Sequence, residues 1–235
     1  MISTVRSATG ELLGSAGLAA VVVGSGIAAQ RLSPADTGLQ LLENALATAL
    51  GLGVLILVFS PVSGAHFNPV VTVVDIVLHR RPWSVAAVYL PAQVIGCIAG
   101  AVLANLMFAV PAVDWSTTDR SGPHLLLSET IATAGLIVVV FALARSGRSH
   151  LAAPAVGAYI GAAYFFTSST SFANPAITVG RMFTDTFSGI APASAAPFIA
   201  AQLVGAAIGW GLVRLLFPLR VPTPAGDRAG ARRRG

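Results

Sequence analysis

One ordered set of polar residues occurs twice in this chain, each time inside apolar sequence. The first copy reads Glu11, then Asn68-Pro69-Val70, then Gln93-x-x-Gly96; the second reads Glu129, then Asn174-Pro175-Ala176, then Gln202-x-x-Gly205. The Asn-to-Gln spacing is 25 residues in one copy and 28 in the other, and the Glu-to-Asn spacings of 57 and 45 differ in loops. Six apolar segments carry or flank these residues, near 9–29, 39–60, 83–109, 124–144, 151–168 and 195–217. Each approaches the roughly 20 residues needed to cross about 30 Å of hydrocarbon. Lipid cannot satisfy free backbone groups, so the segments are expected to be helices. Only 10% of the 235 residues are charged, against about 25% in soluble domains. That deficit places the chain in the membrane class.

Two further segments, 66–78 and 172–184, are too short to span, and each holds one Asn-Pro pair. Asn is a strong helix N-cap and Pro suits the first helical position. Asn68 and Asn174 are therefore expected to begin short helices. Three spans per half is an odd number, so the second copy is inverted in the membrane. Inverted repeats with interrupted helices place a permeation site near the bilayer midplane. The positive ends of both half-helices would meet there and repel cations and protons. The two carboxamide NH2 groups would face a shared lumen and donate to the oxygen of a passing solute. The predicted fold is thus an all-α membrane protein with six transmembrane helices and two re-entrant half-helices. It forms one domain over 1–217, with halves 1–110 and 120–217, followed by an Arg-rich tail, 218–235, expected to be disordered.

Glu11 and Glu129 are carboxylates inside spans, which is normally expensive. One reading is a proton relay. The favoured one is structural: each accepts hydrogen bonds from loop N–H groups and holds a re-entrant segment, with Gln93 and Gln202 serving alike. Small residues such as Gly96, Gly100, Gly205 and Gly209 would let helix backbones approach closely.

All 14 basic residues are arginine, and the net charge is +5. The basic and aromatic surface of a nucleic-acid binder is missing. Six spans put both termini on one side, together with Arg6, Arg80, Arg81, Arg145, Arg148 and the tail arginines 220, 228, 232, 233 and 234. Arg31, Arg120 and Arg181 fall on the other. The positive-inside rule makes the first side cytoplasmic, and the tail is placed against anionic headgroups. The expected location is the plasma (inner) membrane. Arg6 followed by an apolar stretch resembles a signal peptide, but Glu11 and the later spans favour a retained first helix. Cys97, the one cysteine, is expected to be a buried core residue. His79, His124 and His150 fall at loop edges without metal-ligand spacing. No cofactor, metal site or catalytic set is expected.

The run Ser63-Gly64-Ala65-His66-Phe67-Asn68-Pro69-Val70-Val71-Thr72 resembles the first signature of the major intrinsic proteins, the aquaporins and aquaglyceroporins. Phe172-Ala173-Asn174-Pro175-Ala176 resembles the second. The resemblance covers residues from about 9 to 217. It implies a right-handed six-helix bundle with two half-helices, one pore per subunit and a homotetramer, passing small uncharged solutes across the bilayer without catalysis. Asn68, Pro69, Val70, Asn174, Pro175 and Ala176 would form the constriction. Val70 stands where the family usually has Ala, which would add two methyl groups beside it. Ile177 stands where an arginine usually follows the second Asn. An ungapped carry-over places the other filter positions at Thr48, Ala162 and Ser171. A one-turn slip on span five would bring in Tyr159 or Phe166 instead. Thr48, Ala162, Ser171 and Ile177 are modest or small and uncharged, which predicts a wide filter that admits solutes larger than water, such as glycerol, urea, arsenous acid or methylated arsenicals.

Arg181 lies one helical turn beyond Ile177. It either restores a charge at the outer pore mouth or pairs with Asp185 outside the pore. His66 is expected to line the inner mouth, with pH gating as a secondary reading. A secondary-active transporter is the rival function. It would need an unpaired carboxylate on the pathway, for which Glu11 and Glu129 are the candidates. A membrane-embedded enzyme would need a convergent acid–base set, and a purely adhesive protein a blocked filter.

Overall fold

The structure, a computed structural model, describes residues 2–218. The Arg-rich tail lies, from residue 219 on, outside the described residues. The chain folds into α1 (Ile2–Leu32), α2 (Thr37–Ser63), α3 (Pro69–His79), α4 (Ser84–Met107), α5 (Pro123–Arg145), α6 (Ala152–Phe166), α7 (Pro175–Gly180) and α8 (Pro192–Leu216). No strand occurs among the described residues. Five helices are long and apolar enough to cross a membrane. The sixth, α6, is 15 residues long and is extended at its start by a 3-10 turn, Ser149–Leu151. Leu39, Leu42, Leu46, Leu50, Val54 and Leu57 form one exposed apolar face on α2, the surface that lipid accepts at no cost.

The two halves correspond element by element: α1 with α5, α2 with α6, α3 with α7, and α4 with α8. Each half is locked by the same glycine device. A Cβ on Gly96 or Gly100 of α4 would overlap the carbonyl oxygens of Leu12 or Ala16 on α1. A Cβ on Gly205 or Gly209 of α8 would run into the carbonyl oxygens of Thr130 or Ala134 on α5. The backbones are therefore in direct contact, the packing that small residues permit where no hydrophobic force joins helices. Gly100→Leu is expected to abolish the folded peak in detergent size-exclusion, because overpacking against a backbone cannot relax. Gly211→Leu, whose Cβ meets nothing within 4 Å, should elute as wild type. Equal elution of both variants would remove the close-contact argument.

Contacts at the helix ends fix the topology. Ser7 Oγ donates to Val62 O, and Arg145 Nη1 donates to Phe217 O at 2.7 Å, so the start of α1 and the ends of α2, α5 and α8 share one side. Asn105 Nδ2 donates to Phe183 O at 2.9 Å and Arg120 Nε to Gly189 O at 2.8 Å on the far side. The second half-helix is shorter than its sequence segment suggests. It ends at Gly180, where the chain tightens into a 3-10 turn, Arg181–Phe183.

Candidate functional site

Both half-helices begin at an Asn-Pro pair, and their N-termini meet. Asn68 Oδ1 accepts from Val70 N at 3.1 Å, and Asn174 Oδ1 accepts from Ala176 N at 2.9 Å, so each Asn caps its own helix. Each amide also crosses to the other half. Asn68 Nδ2 donates to Ala173 O and Asn174 Nδ2 donates to Phe67 O, both at 2.8 Å. One N–H of each amide is thereby spent on bracing the loops, which leaves the other for a solute.

The loops before the two asparagines have the same shape. Ala65 and Phe67 have φ of 54° and 50°; Ser171 and Ala173, at the same offsets before Asn174, have 49° and 46°. Left-handed backbone is costly for residues with a Cβ, so something must hold it. Glu11 accepts from Ser63 Oγ (2.6 Å), His66 N (3.0 Å), Phe67 N (2.7 Å) and Gln93 Nε2 (2.7 Å). Glu129 accepts from Ser169 Oγ (2.6 Å), Phe172 N (2.8 Å), Ala173 N (2.9 Å) and Gln202 Nε2 (2.7 Å). All eight partners are donors, as an acceptor-only carboxylate requires. Gln93 and Gln202 donate in addition to Thr72 and Thr178, whose hydroxyls bond the carbonyls of Asn68 and Asn174. Ser63, Ser169, Thr72 and Thr178 were missed as site residues in the sequence. Their signal was their equal offsets, five before and four after each Asn. Neither Glu11 nor Glu129 lines the cavity.

A cavity of ≈ 330 Å³ runs past the two asparagines. Thr48, His66, Asn68, Ser171, Asn174, Ile177 and Arg181 line it. Pro69, Val70, Pro175 and Ala176 do not; they build the first turns of α3 and α7 behind the wall. Val70 points into a separate groove between α3 and α8. The expectation that it crowds the constriction is therefore corrected: its methyl groups lie on the outer side of the half-helix.

Ala162 is also corrected. It is exposed on α6, and Tyr164 lines the cavity instead. Two residues turn a helix by about 200°, so these side chains point in opposite directions. Tyr159 donates to Ala132 O outside the cavity and Phe166 is exposed, so neither alternative enters. The hydroxyls of Tyr164 and Thr48 lie 3.2 Å apart. Thr48, Ser171 and Ile177 thus share the cavity with one bulky aromatic, where only modest residues were predicted.

Arg181 is buried and lies over the ring of Phe172 at 3.4 Å, with Nε donating to Ser188 O. It does not pair with Asp185, which accepts instead from Thr117. Buried Asp75, absent from the sequence reading, lines the opposite end of the cavity with His66 and His79. Its partners are His79 Nδ1 at 2.8 Å and Arg81 Nε at 3.1 Å. His66 Nδ1 lies 3.0 Å from Thr72 Oγ1. The i,i+4 spacing of Asp75 and His79 was the available clue.

The family model described as major intrinsic protein matches residues 1–173. The chain belongs to the major intrinsic protein family. Among relatives, it is 48% identical over 217 residues to the aquaglyceroporin AqpS of Rhizobium meliloti (strain 1021), covering 92% of each chain. It is 31% identical over 215 residues to aquaporin-2 of Rattus norvegicus, covering 84% of this chain and 74% of that one. The solved aquaglyceroporin of Plasmodium falciparum shares the fold, with TM-score 0.70 and 22% identity over 89% of this chain and 95% of that chain. This major intrinsic protein is accordingly a multi-pass membrane channel and not an enzyme. Its transport is passive. Apolar Ile177, at the position where the resemblance leads one to expect an arginine, lines the cavity, and so does Arg181 four residues on.

Proposed function

We propose that the pore conducts larger uncharged solutes as well as water: glycerol, urea, metalloid hydroxides such as arsenous acid, and methylated arsenicals. Ile177 carries this reading. An apolar side chain at the filter cannot hold the fixed charge and donors that an arginine would aim at a single water. Apolar Leu18, Val22, Leu52, Ile56 and Ile160 share the cavity with hydroxyls and amides, a lining that suits a solute with an oxygen edge and a carbon edge. The name of the Rhizobium relative, an aquaglyceroporin, supports the same class. Tyr164 bounds the width, so flat or small solutes are favoured. The channel is read as a homotetramer in the plasma (inner) membrane with both termini cytoplasmic, on the arginine distribution and the family resemblance. The transporter alternative has no support: the two span carboxylates are consumed by loop hydrogen bonds, and Asp75 is paired.

Purified protein in liposomes, followed by stopped-flow light scattering under osmotic shock, tests this. Water, glycerol, urea and arsenous acid are compared with empty liposomes. Permeation by glycerol and arsenous acid about tenfold or more above empty liposomes is expected, with no dependence on an ion gradient. Water flux without passage of any larger solute would overturn the wide-filter reading.

A further inference from the structure

A second concavity, ≈ 280 Å³, lies on the outside of the bundle between α3 and α8. Its α3 wall is a stripe of four valines, Val70, Val73, Val74 and Val77; its α8 wall runs from Leu203 to Trp210. The spacing of three and four residues puts each set on one helix face. Val70 stands at the start of α3, beside the meeting point of the half-helices, and Val77 about 10 Å further along the axis. The groove therefore spans much of one leaflet, from the middle of the membrane toward the side where α1 begins.

Both walls end in arginine. Arg80 follows Val77 by three residues and caps α3, and Arg214 follows Trp210 by four, its guanidinium 5.1 Å from the indole ring. Both arginines are exposed, and neither pairs with a carboxylate among the described residues. An apolar trough with two exposed, unpaired cations beyond one end of its walls complements one kind of neighbour. We propose that this groove binds an anionic phospholipid of that leaflet, its acyl chain along the valine stripe and its phosphate at Arg80 and Arg214. A second copy of the chain fits less well, because two copies meeting here would bring four arginines together without a counter-charge. Occupancy would place a lipid chain against the back of Val70, two residues after a lumen-lining asparagine. The departure from alanine at that position then shapes a lipid site and not the lumen.

The test uses Trp210 as reporter. Trp83 and Trp115 are exposed, so both are changed to Phe, and the protein is placed in vesicles with brominated acyl chains on either phosphatidylglycerol or phosphatidylcholine. Half-maximal quenching of Trp210 is expected at an about tenfold lower mole fraction of the anionic lipid, given two arginines near the headgroup plane. Arg80→Gln with Arg214→Gln should bring the two lipids together, and Val73→Phe, which fills the trough, should reduce quenching by both. Equal quenching by the two lipids in the parent protein would mean ordinary annular contact and overturn the proposal. Absence of quenching, with Leu203→Cys cross-linking between copies, would overturn it in favour of a protein interface. If the double Trp variant does not fold, native mass spectrometry of the wild type with each lipid gives the same comparison.

Discussion

Glu129→Leu is expected to yield no folded channel: loss of the monodisperse peak in detergent and of all solute flux in liposomes. The carboxylate takes four hydrogen bonds, two from the N–H groups of Phe172 and Ala173. Hydrogen bonds to a charged group contribute about 1.5–3 kcal/mol each, and a buried donor left unpaired costs about 1–3 kcal/mol. Losing the set therefore removes an amount comparable to the whole stability of a typical domain, about 5–15 kcal/mol. The left-handed residues Ser171 and Ala173 would also lose their restraint. Glu129→Gln should fall between, because its amide keeps one acceptor and turns an NH2 toward donors. Glu11→Leu should repeat the result through His66 and Phe67. A Glu129→Leu protein that folds and conducts as wild type would return the carboxylates to the rejected relay role.

Ile177→Arg combined with Arg181→Ala is expected to retain water flux and lower glycerol permeability by about tenfold or more, equivalent to at least about 1.4 kcal/mol. The pair moves one guanidinium by about one turn along the cavity and leaves the number of charges unchanged. That matters because Arg181 and Arg120 already lie over the same Phe172 ring, at 3.4 and 5.1 Å. A third cation there would be destabilising by itself. At position 177 the guanidinium would narrow the lumen beside Thr48 and Tyr164 and offer donors to a single small oxygen. Arg181→Ala alone is expected to change glycerol flux less than the double variant does. Stopped-flow scattering with water and glycerol reads both. Unchanged glycerol flux in a folded double variant would show that Ile177 does not set the solute class.

Much of the site was legible because an inverted repeat writes its parts twice. A single Asn-Pro is a turn, whereas two at matched places, each with its Glu and its Gln-x-x-Gly, specify half-helices, the carboxylates that hold their loops, and the crossings of α1 with α4 and α5 with α8. Local chemistry determines these features: capping, a Pro at the first helical position, and glycine where backbones touch. Apolar length in the same way marked the five long spans, whereas α6, at 15 residues, falls short of that length.

Orientation about each helix axis belonged to the tertiary structure. Ala162 and Tyr164 differ by two residues on one short helix, and only the packing of α6 against α2 decides that the tyrosine faces the lumen. Val70 follows the motif in sequence yet turns its methyls outward, because α3 leans its valine stripe toward α8. Arg181 and Asp185 have the spacing of an ion pair, but the 3-10 turn after Gly180 and the claim of Thr117 on Asp185 separate them. Asp75 reads as one more helical residue until Arg81 and the histidines gather round it. Sequence spacing determines which residues share an element and how far apart they lie along it. The rotation of that element, and hence which residues meet a solute and which meet lipid, is settled by helix–helix contacts between residues far apart in the chain.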